Sequence, residues 1–214
     1  MGSDLPRLVR IGREVCGNAA SGGLYAALEG PDGNDATLRP NQIFAVSLPH
    51  SPLSPEIQAR VMGIVGRELL TSYGLRSLAT SHRDYRPAYA GGMRERDVGY
   101  HQGPVWAWLL GDYALAEFRV SGDANLAQRR LAPIADHLAD AALGSVSEIF
   151  DGAAPHLPRG CPVQGWSVAC TLESRWRLER ARRAAEQAQH VPEIVSRQSR
   201  RTATSVGKRN HAHA

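Results

Sequence analysis

GGMRERDVGYHQGPVWAWLLGDYALAEFRVSGD, residues 91–123, sets the pattern from which the fold is read. Its first part shows no sustained period and is interrupted by Gly91, Gly92 and Gly99, the marks of a loop. Pro104 then opens a run in which Val105, Leu109, Tyr113, Ala116 and Val120 recur at helical spacing, and Ser121-Gly122-Asp123 closes it. The unit is a long glycine-containing loop that delivers an amphipathic helix.

The flanks repeat that unit. Upstream, Ser54-Pro55-Glu56 combines an N-cap residue, a proline at the first helical position and an acid in the first turn. Ile57, Val61, Ile64, Val65 and Leu69 follow at helical spacing, which predicts a helix over 55–72 stopped by Gly74. NQIFAVSLP (41–49) is short and apolar, and pattern alone leaves strand and helix open. CGNAASGGLYAALEGPDGNDATLRP (16–40) reads as a long structured loop or a short hairpin, and residues 4–16 suit a helix. Residues 75–103 read as a second long loop.

Downstream, a helical stretch over 124–143 puts Leu131, Ile134, Ala135 and Leu138 on one face, and Pro133 either kinks it or marks its true start. A third loop, 144–162, leads into the helix former VQGWSVACTLESRWRLERARRAAEQAQ (163–189), whose later half is too polar to be buried. From Val191 the composition cannot bury enough apolar surface to order itself. Helices alternating with long loops, without a run of alternating strands, predict an all-α scaffold with its loops gathered at one end. Such a layout suits a cleft enzyme.

The 214 residues are 43% apolar and 21% charged, the profile of an ordinary globular protein. From Ser174 onward ten Lys or Arg stand against three Glu, a local charge of +7 that leaves residues 1–173 at −3. The high isoelectric point therefore belongs to the C-terminal segment, and there is no basic, nucleic-acid-binding body. That segment also has almost no interleaved aromatic for base stacking. Lys208 is the only lysine, which removes phosphate-binding-loop, Schiff-base and kinase chemistry. Cys16, Cys161 and Cys170 are an odd number without Cys-x-x-Cys spacing, so neither a disulfide framework nor a zinc ribbon is indicated. No stretch has the length of a signal peptide's apolar core or of a spanning helix, and a reduced, cytoplasmic setting is expected.

Three loops carry the candidate chemistry. The first has Asp35, Arg39, Asn41 and Gln42; the second has Arg94, Glu95, Arg96, Asp97, Tyr100, His101, Gln102, Trp106 and Trp108; the third has Glu148 and Asp151. Carboxylates and amides hydrogen-bond vicinal hydroxyls, and indole faces pack on the C–H face of a pyranose, so these are the residue types a sugar site uses. Each also has a structural reading. Trp106 and Trp108 suit core packing, Asn41 and Gln42 suit turns and caps, residues 94–97 suit a solvated loop, and His101 suits a hydrogen-bonded structural histidine. Glu148, among Val146, Ile149 and Phe150, is either a helix-end residue or a carboxylate tuned by apolar neighbours. No His-Glu-x-x-His, calcium-loop spacing or Gly-x-Ser-x-Gly elbow occurs.

Five blocks in order, LRPNQIFAVSLP (38–49), RELLTSYGLRSL (67–78), GGMRERDVGYHQGPVWAWLLG (91–111), GSVSEIFDG (144–152) and RGCPVQGWSVA (159–169), together resemble the C-terminal region of bacterial amylo-α-1,6-glucosidases, the glycogen-debranching glucosidases. The resemblance spans about residues 22–173. It implies an (α/α)6 barrel of six inner and six outer helices, of which this chain would hold the C-terminal part. Residues 1–173 would then be a partial glycosidase domain, and 174–214 an arginine-rich helical extension and disordered tail. An incomplete ring leaves apolar helix faces without partners, and self-association is expected.

The implied reaction is inverting hydrolysis of α-1,6-glucosidic branch points, with one carboxyl group protonating the leaving oxygen and another, about 6.5–9.5 Å away, activating water. Glu148 matches the family's base. The family's acid is an Asp on an upstream hairpin without a counterpart in this sequence, and Asp35, Asp97 and Asp151 do not replace it. Arg39, Asn41, Gln42, Asp97, Tyr100, His101, Gln102 and Trp106 match residues that shape the glucose end of the cleft. Ala107 stands where proline is usual, and Gly165 where alanine is usual. No cofactor and no metal are expected. The expected partner is a branched α-glucan, glycogen or limit dextrin, with the missing front half supplied by a separately encoded chain. The alternative reading is a non-catalytic remnant or an α-glucan-binding module. Neither a specific nucleic acid nor a membrane is expected as a partner.

Overall fold

A computed structural model of the chain describes residues 17–18, 21–141 and 144–207, with side chains described as far as 188. The helix expected over 4–16 and the last seven residues lie outside this range. The first glycine-rich loop is a hairpin of β1 (Ala27–Gly30) and antiparallel β2 (Gly33–Asp35). The ambiguous segment that follows is helical, a 3-10 turn over Pro40–Ile43 running into the short α1 (Phe44–Ser47). Its apolar side, Ile43 and Val46, is fully buried.

Helix α2 (Pro55–Glu68) begins where the proline predicts, with Ser54 at the N-cap position but its hydroxyl making no cap bond. It buries Ile57, Val61, Met62, Ile64 and Val65. It stops short of the expected residue 72 because the chain folds back at Thr71, whose N–H and hydroxyl both donate to the Gly74 carbonyl. That turn starts β3 (Leu75–Arg76). The second loop contains a helix that its pattern hides, α3 (Met93–Gly99). Pro104 does not open the next helix, since Val105 and Trp106 are β4 and helix α4 begins only at Leu109 and runs to Ser121.

Helix α4 is the hub, packed by α1, α2 and the later helices over Ala124–Arg130 and Gly165–Gly207. Leu109, Tyr113 and Ala116 face a core cluster built with Ile43, Val46, Val61, Val65 and Leu75. Leu110 and Ala114 face a second cluster with Ala127, Leu131, Ile134, Phe150 and Leu178. Gly122, at φ 71°, ends α4 in the left-handed conformation that glycine accepts most readily. The Asp123 carboxylate then accepts the N–H groups of Asn125 and Leu126, both at 2.9 Å, capping α5 (Ala124–Arg130). The expected single helix over 124–143 is thus two pieces, because Pro133 sits in the first turn of α6 (Ala132–His137) and has no N–H to continue α5.

The third loop contributes β5 (Ile149–Phe150) and β6 (Pro158–Arg159). Helix α7 then runs from Gly165 to Gly207, continuing across Pro192 where composition leads to an expectation of unstructured chain. Leucine, alanine, arginine, glutamate and glutamine from 172 to 189 are strong helix formers, and propagation from a packed first half costs less than nucleation. The molecule is largely helical, but all-α is a simplification: β3, β4, β5 and β6 form one antiparallel sheet of two-residue strands. Leu75 faces Trp106, Val105 faces Phe150, and Ile149 faces Arg159. Among the described residues no helix is long and apolar enough to cross a membrane.

Two tests follow from this packing. A Cβ on Gly111 would stand 2.5 Å from Ser174 Oγ and 2.7 Å from the Cys170 carbonyl oxygen, so Gly111→Ala forces α4 and α7 apart. It should cost about 1–3 kcal/mol in chemical denaturation. The second concerns His137, which is 1% exposed, with Nε2 accepting the Ser147 N–H at 3.2 Å. Burial pushes its imidazole below the ordinary value, partly opposed by Asp140. The unfolded chain therefore binds more protons below about pH 6.5, so stability is complete above that pH and lost as acid is added. Thermal melts should show the midpoint falling from about pH 7.5 to 5.5, with a flatter dependence in His137→Gln.

Candidate active site

The sheet brings loop two and loop three side by side. Glu148 directly precedes β5 and is held by both neighbours, since Ser147 is buried against His137 and Ile149 is fully buried. Its backbone N–H donates to the Cys161 carbonyl at 2.9 Å, which fixes the residue at the edge of the sheet.

Both carboxylate oxygens are engaged. The Tyr100 hydroxyl donates to Oε1. The Cys161 backbone N–H donates to Oε2 at 2.8 Å. Gly160 makes the second contact possible, because at φ 68° it turns the chain sharply and a Cβ there would stand 2.5 Å from Oε2. Tyr100, at the C-terminus of α3, packs its ring edge on Trp106 (4.8 Å between centroids) and against Tyr89 (5.6 Å). His101 lies flat on Trp106 at 5.1 Å with an interplanar angle of 8°. The half-buried carboxylate is therefore walled by aromatic rings.

Arg39 braces this wall from loop one. Its Nη1 donates to the carbonyls of Ser77 (3.0 Å) and His101 (2.8 Å), and its Nη2 to Gln102 Oε1 (3.1 Å). Gln42 is 8% exposed, with Oε1 accepting the Leu24 N–H at 3.1 Å and Nε2 donating to the Arg39 carbonyl at 2.9 Å, so its amide holds the hairpin to the Arg39 turn. Asn41 is exposed beside a cavity of about 250 Å³ shared with Tyr25, Thr37 and Arg39. Asp97 is exposed on α3. Contacts thus link Arg39, Tyr100, His101, Gln102 and Trp106 to Glu148. Gln42 joins them only through Arg39 and Asp97 only through its backbone carbonyl, which accepts the Tyr100 N–H at 3.4 Å; among the described residues no side-chain hydrogen bond brings Asn41 or Asp97 to the carboxylate.

Desolvation, the Glu148 hydrogen bond and its charge push the Tyr100 phenol well above the ordinary tyrosine range. Desolvation first, and then the Arg39 charge, hold His101 below the ordinary histidine value, so its ring is neutral at neutral pH. Asp151, 6% exposed, is spoken for: Arg159 Nε and Nη2 donate to it at 3.0–3.2 Å and the Tyr89 N–H at 2.8 Å. Asp35 accepts the Thr37 N–H at 2.9 Å just past the β-hairpin. Tyr89, Gly160 and Cys161 are site residues that the sequence reading does not single out. Only Gly160 carries a signal, the turn-forming Gly-Cys-Pro.

The Tyr100 contact can be tested by ultraviolet titration of the tyrosines. In Glu148→Gln the Tyr100 phenol should ionise at lower pH than in the native chain, because the carboxylate charge is gone. It should remain above the ordinary value of about 10, because the burial persists.

Residues 18–173 match the family described as amylo-alpha-1,6-glucosidase. The glycogen debranching enzyme of Saccharomyces cerevisiae is 27% identical over 176 residues, covering 71% of this chain and 12% of the yeast protein. A crystal structure of an uncharacterized conserved protein from Thermus thermophilus is similar at 21% identity and a TM-score of 0.49, covering 78% of this chain and 37% of that one. The chain spans well under half the length of either relative. With the family match extending over most of the sequence and taking in all three loops, this chain belongs to the amylo-alpha-1,6-glucosidase family.

Proposed function

We propose that this chain is the C-terminal part of a glycogen-debranching α-1,6-glucosidase domain and that Glu148 is its water-activating base. The observation that carries the reading is the fixed carboxylate. One oxygen takes the Tyr100 hydroxyl and the other the Cys161 N–H, which holds the carboxylate in one orientation beside the aromatic wall. A base must accept a proton from water without reorienting, and a carboxylate clamped at both oxygens satisfies that. His101 and Trp106 offer a flat apolar wall suited to the C–H face of a glucose ring. Arg39 and Gln102 hold that wall in place.

Inversion needs a second carboxyl group to protonate the leaving oxygen. Asp151 is unsuited, being ion-paired to Arg159, so the acid is assigned to a segment outside this chain, within the (α/α)6 ring that these helices would partly build. The apolar groove of about 760 Å³ where Leu131, Ala132 and Ala135 face Leu172 and Trp176 fits a partial ring. The substrate in this reading is a branched α-glucan. The same engagement of Asp151 favours, for the isolated chain, the second reading: binding of α-glucan without cleavage.

The test is release of free glucose from a limit dextrin by the chain combined with the front half of the domain. Glu148→Gln should lower the rate about 10²–10⁴-fold with little change in binding. Undiminished turnover in that variant would remove Glu148 from the reaction.

A further inference from the structure

A second set of stacked rings stands beside the Glu148 site and takes no part in it. Phe44 of α1 stacks on Trp108 at 5.7 Å and 16°, and Trp108 in turn stacks on Trp166 at 4.7 Å and 26°. The stack begins in the core and ends in solvent, since Phe44 and Trp108 are half-buried while Trp166 is 59% exposed. One indole face is therefore backed by Trp108 and the ring stands open to solvent.

Its place follows from the chain on either side. The Cys161 N–H bonds Glu148 at 2.8 Å and the Gln164 N–H bonds the Val146 carbonyl at 2.9 Å, so residues 161–164 run beside the Glu148 loop and deliver Trp166 next to it. Trp108 comes two residues after Trp106, whose ring belongs to the Glu148 wall. The two stacks thus start from one segment. Among the described residues, the other large exposed apolar side chains of α7, Leu172 and Trp176, line the groove against Leu131 and Ala135, and Trp166 does not. Ten residues along the helix turn Trp176 about 80° away from Trp166.

We propose that Trp166, backed by Trp108 and Phe44, is a stacking platform for a pyranose ring of an α-glucan, a sugar subsite adjoining Glu148. An indole face matches the C–H face of a pyranose, and a ring already fixed by stacking loses little freedom when it binds. The platform rests on the carbohydrate reading of the Glu148 cleft and adds to it a second contact, through which the same glucan chain is held.

The test is calorimetric titration of the full chain and its variants with maltoheptaose. Trp166→Ala should bind about tenfold more weakly than the native chain, Trp166→Phe within about threefold, and Trp176→Ala the same as native. Should circular dichroism show Trp166→Ala unfolded, Trp166→Leu keeps an apolar contact with Trp108 but loses the flat face, and must show the same loss. Native-like binding in a folded Ala or Leu variant overturns the platform and leaves the Glu148 reading standing. A native chain that binds no maltoheptaose at millimolar concentration overturns the platform together with α-glucan binding by the isolated chain. An equal loss in Trp176→Ala also overturns the platform, by pointing to general damage to α7.

Discussion

The site depends on the antiparallel register of four strands, each two residues long. Val105 and Trp106 are the middle of it, paired on one side with Leu75 and Arg76 and on the other with Ile149 and Phe150. These residues are far apart in the chain. Through their pairing the Trp106 ring and the Glu148 carboxylate become neighbours. The pairing tolerates little change, because a Cβ on Gly74 would stand 2.2 Å from the Trp106 carbonyl oxygen. Side chains from the strands also enter the core, where Leu75, Val105, Ile149 and Phe150 are all fully buried, so the sheet is anchored by apolar burial as well as by its few hydrogen bonds.

Much of this was legible in the residues, and the misses share a cause. Helix α2 shows itself through Pro55 and apolar positions at helical spacing, and α4 through Leu109, Tyr113 and Ala116, because each buries a whole face. Strands of two residues have no period to detect, which is why an all-α reading omits β3 to β6. The same lack of length hides α3, whose seven residues are almost all exposed. Pro133 was legible as a discontinuity, and its place in the first turn of α6 resolves which kind. At the site, Glu148, Tyr100 and Trp106 stand out by residue type. Cys161 does not, since it acts through its backbone N–H, and no residue type announces a backbone donor. Gln42 shows the converse, an amide of the right kind that is used up in holding Leu24 and Arg39.

Two kinds of aromatic contact leave the segment 105–108. Trp106 turns toward Tyr100 and His101, and Trp108 toward Phe44 and Trp166. Ala107 between them is fully buried and belongs to the second core cluster. The segment thus fastens itself inward through Val105 and Ala107 while presenting its two indoles to separate partners. A single irregular stretch at the start of α4 thereby organises the loop end of the molecule.

Arg39 reaches the Ser77 and His101 carbonyls and the Gln102 amide with one planar group. Its three acceptors belong to two separate parts of the chain, and the guanidinium itself comes from a third. A cross-brace of this kind removes independent movement: loop two cannot swing outward without tearing away from the turn at Pro40 and from the end of β3 together. Opening of this end of the molecule is therefore a collective displacement rather than the flapping of one loop. A lysine, with a single nitrogen at the end of a flexible stem, has no geometry for spanning three such acceptors. In a chain whose cations are nearly all arginine, this is one position where the planar fork has a mechanical consequence.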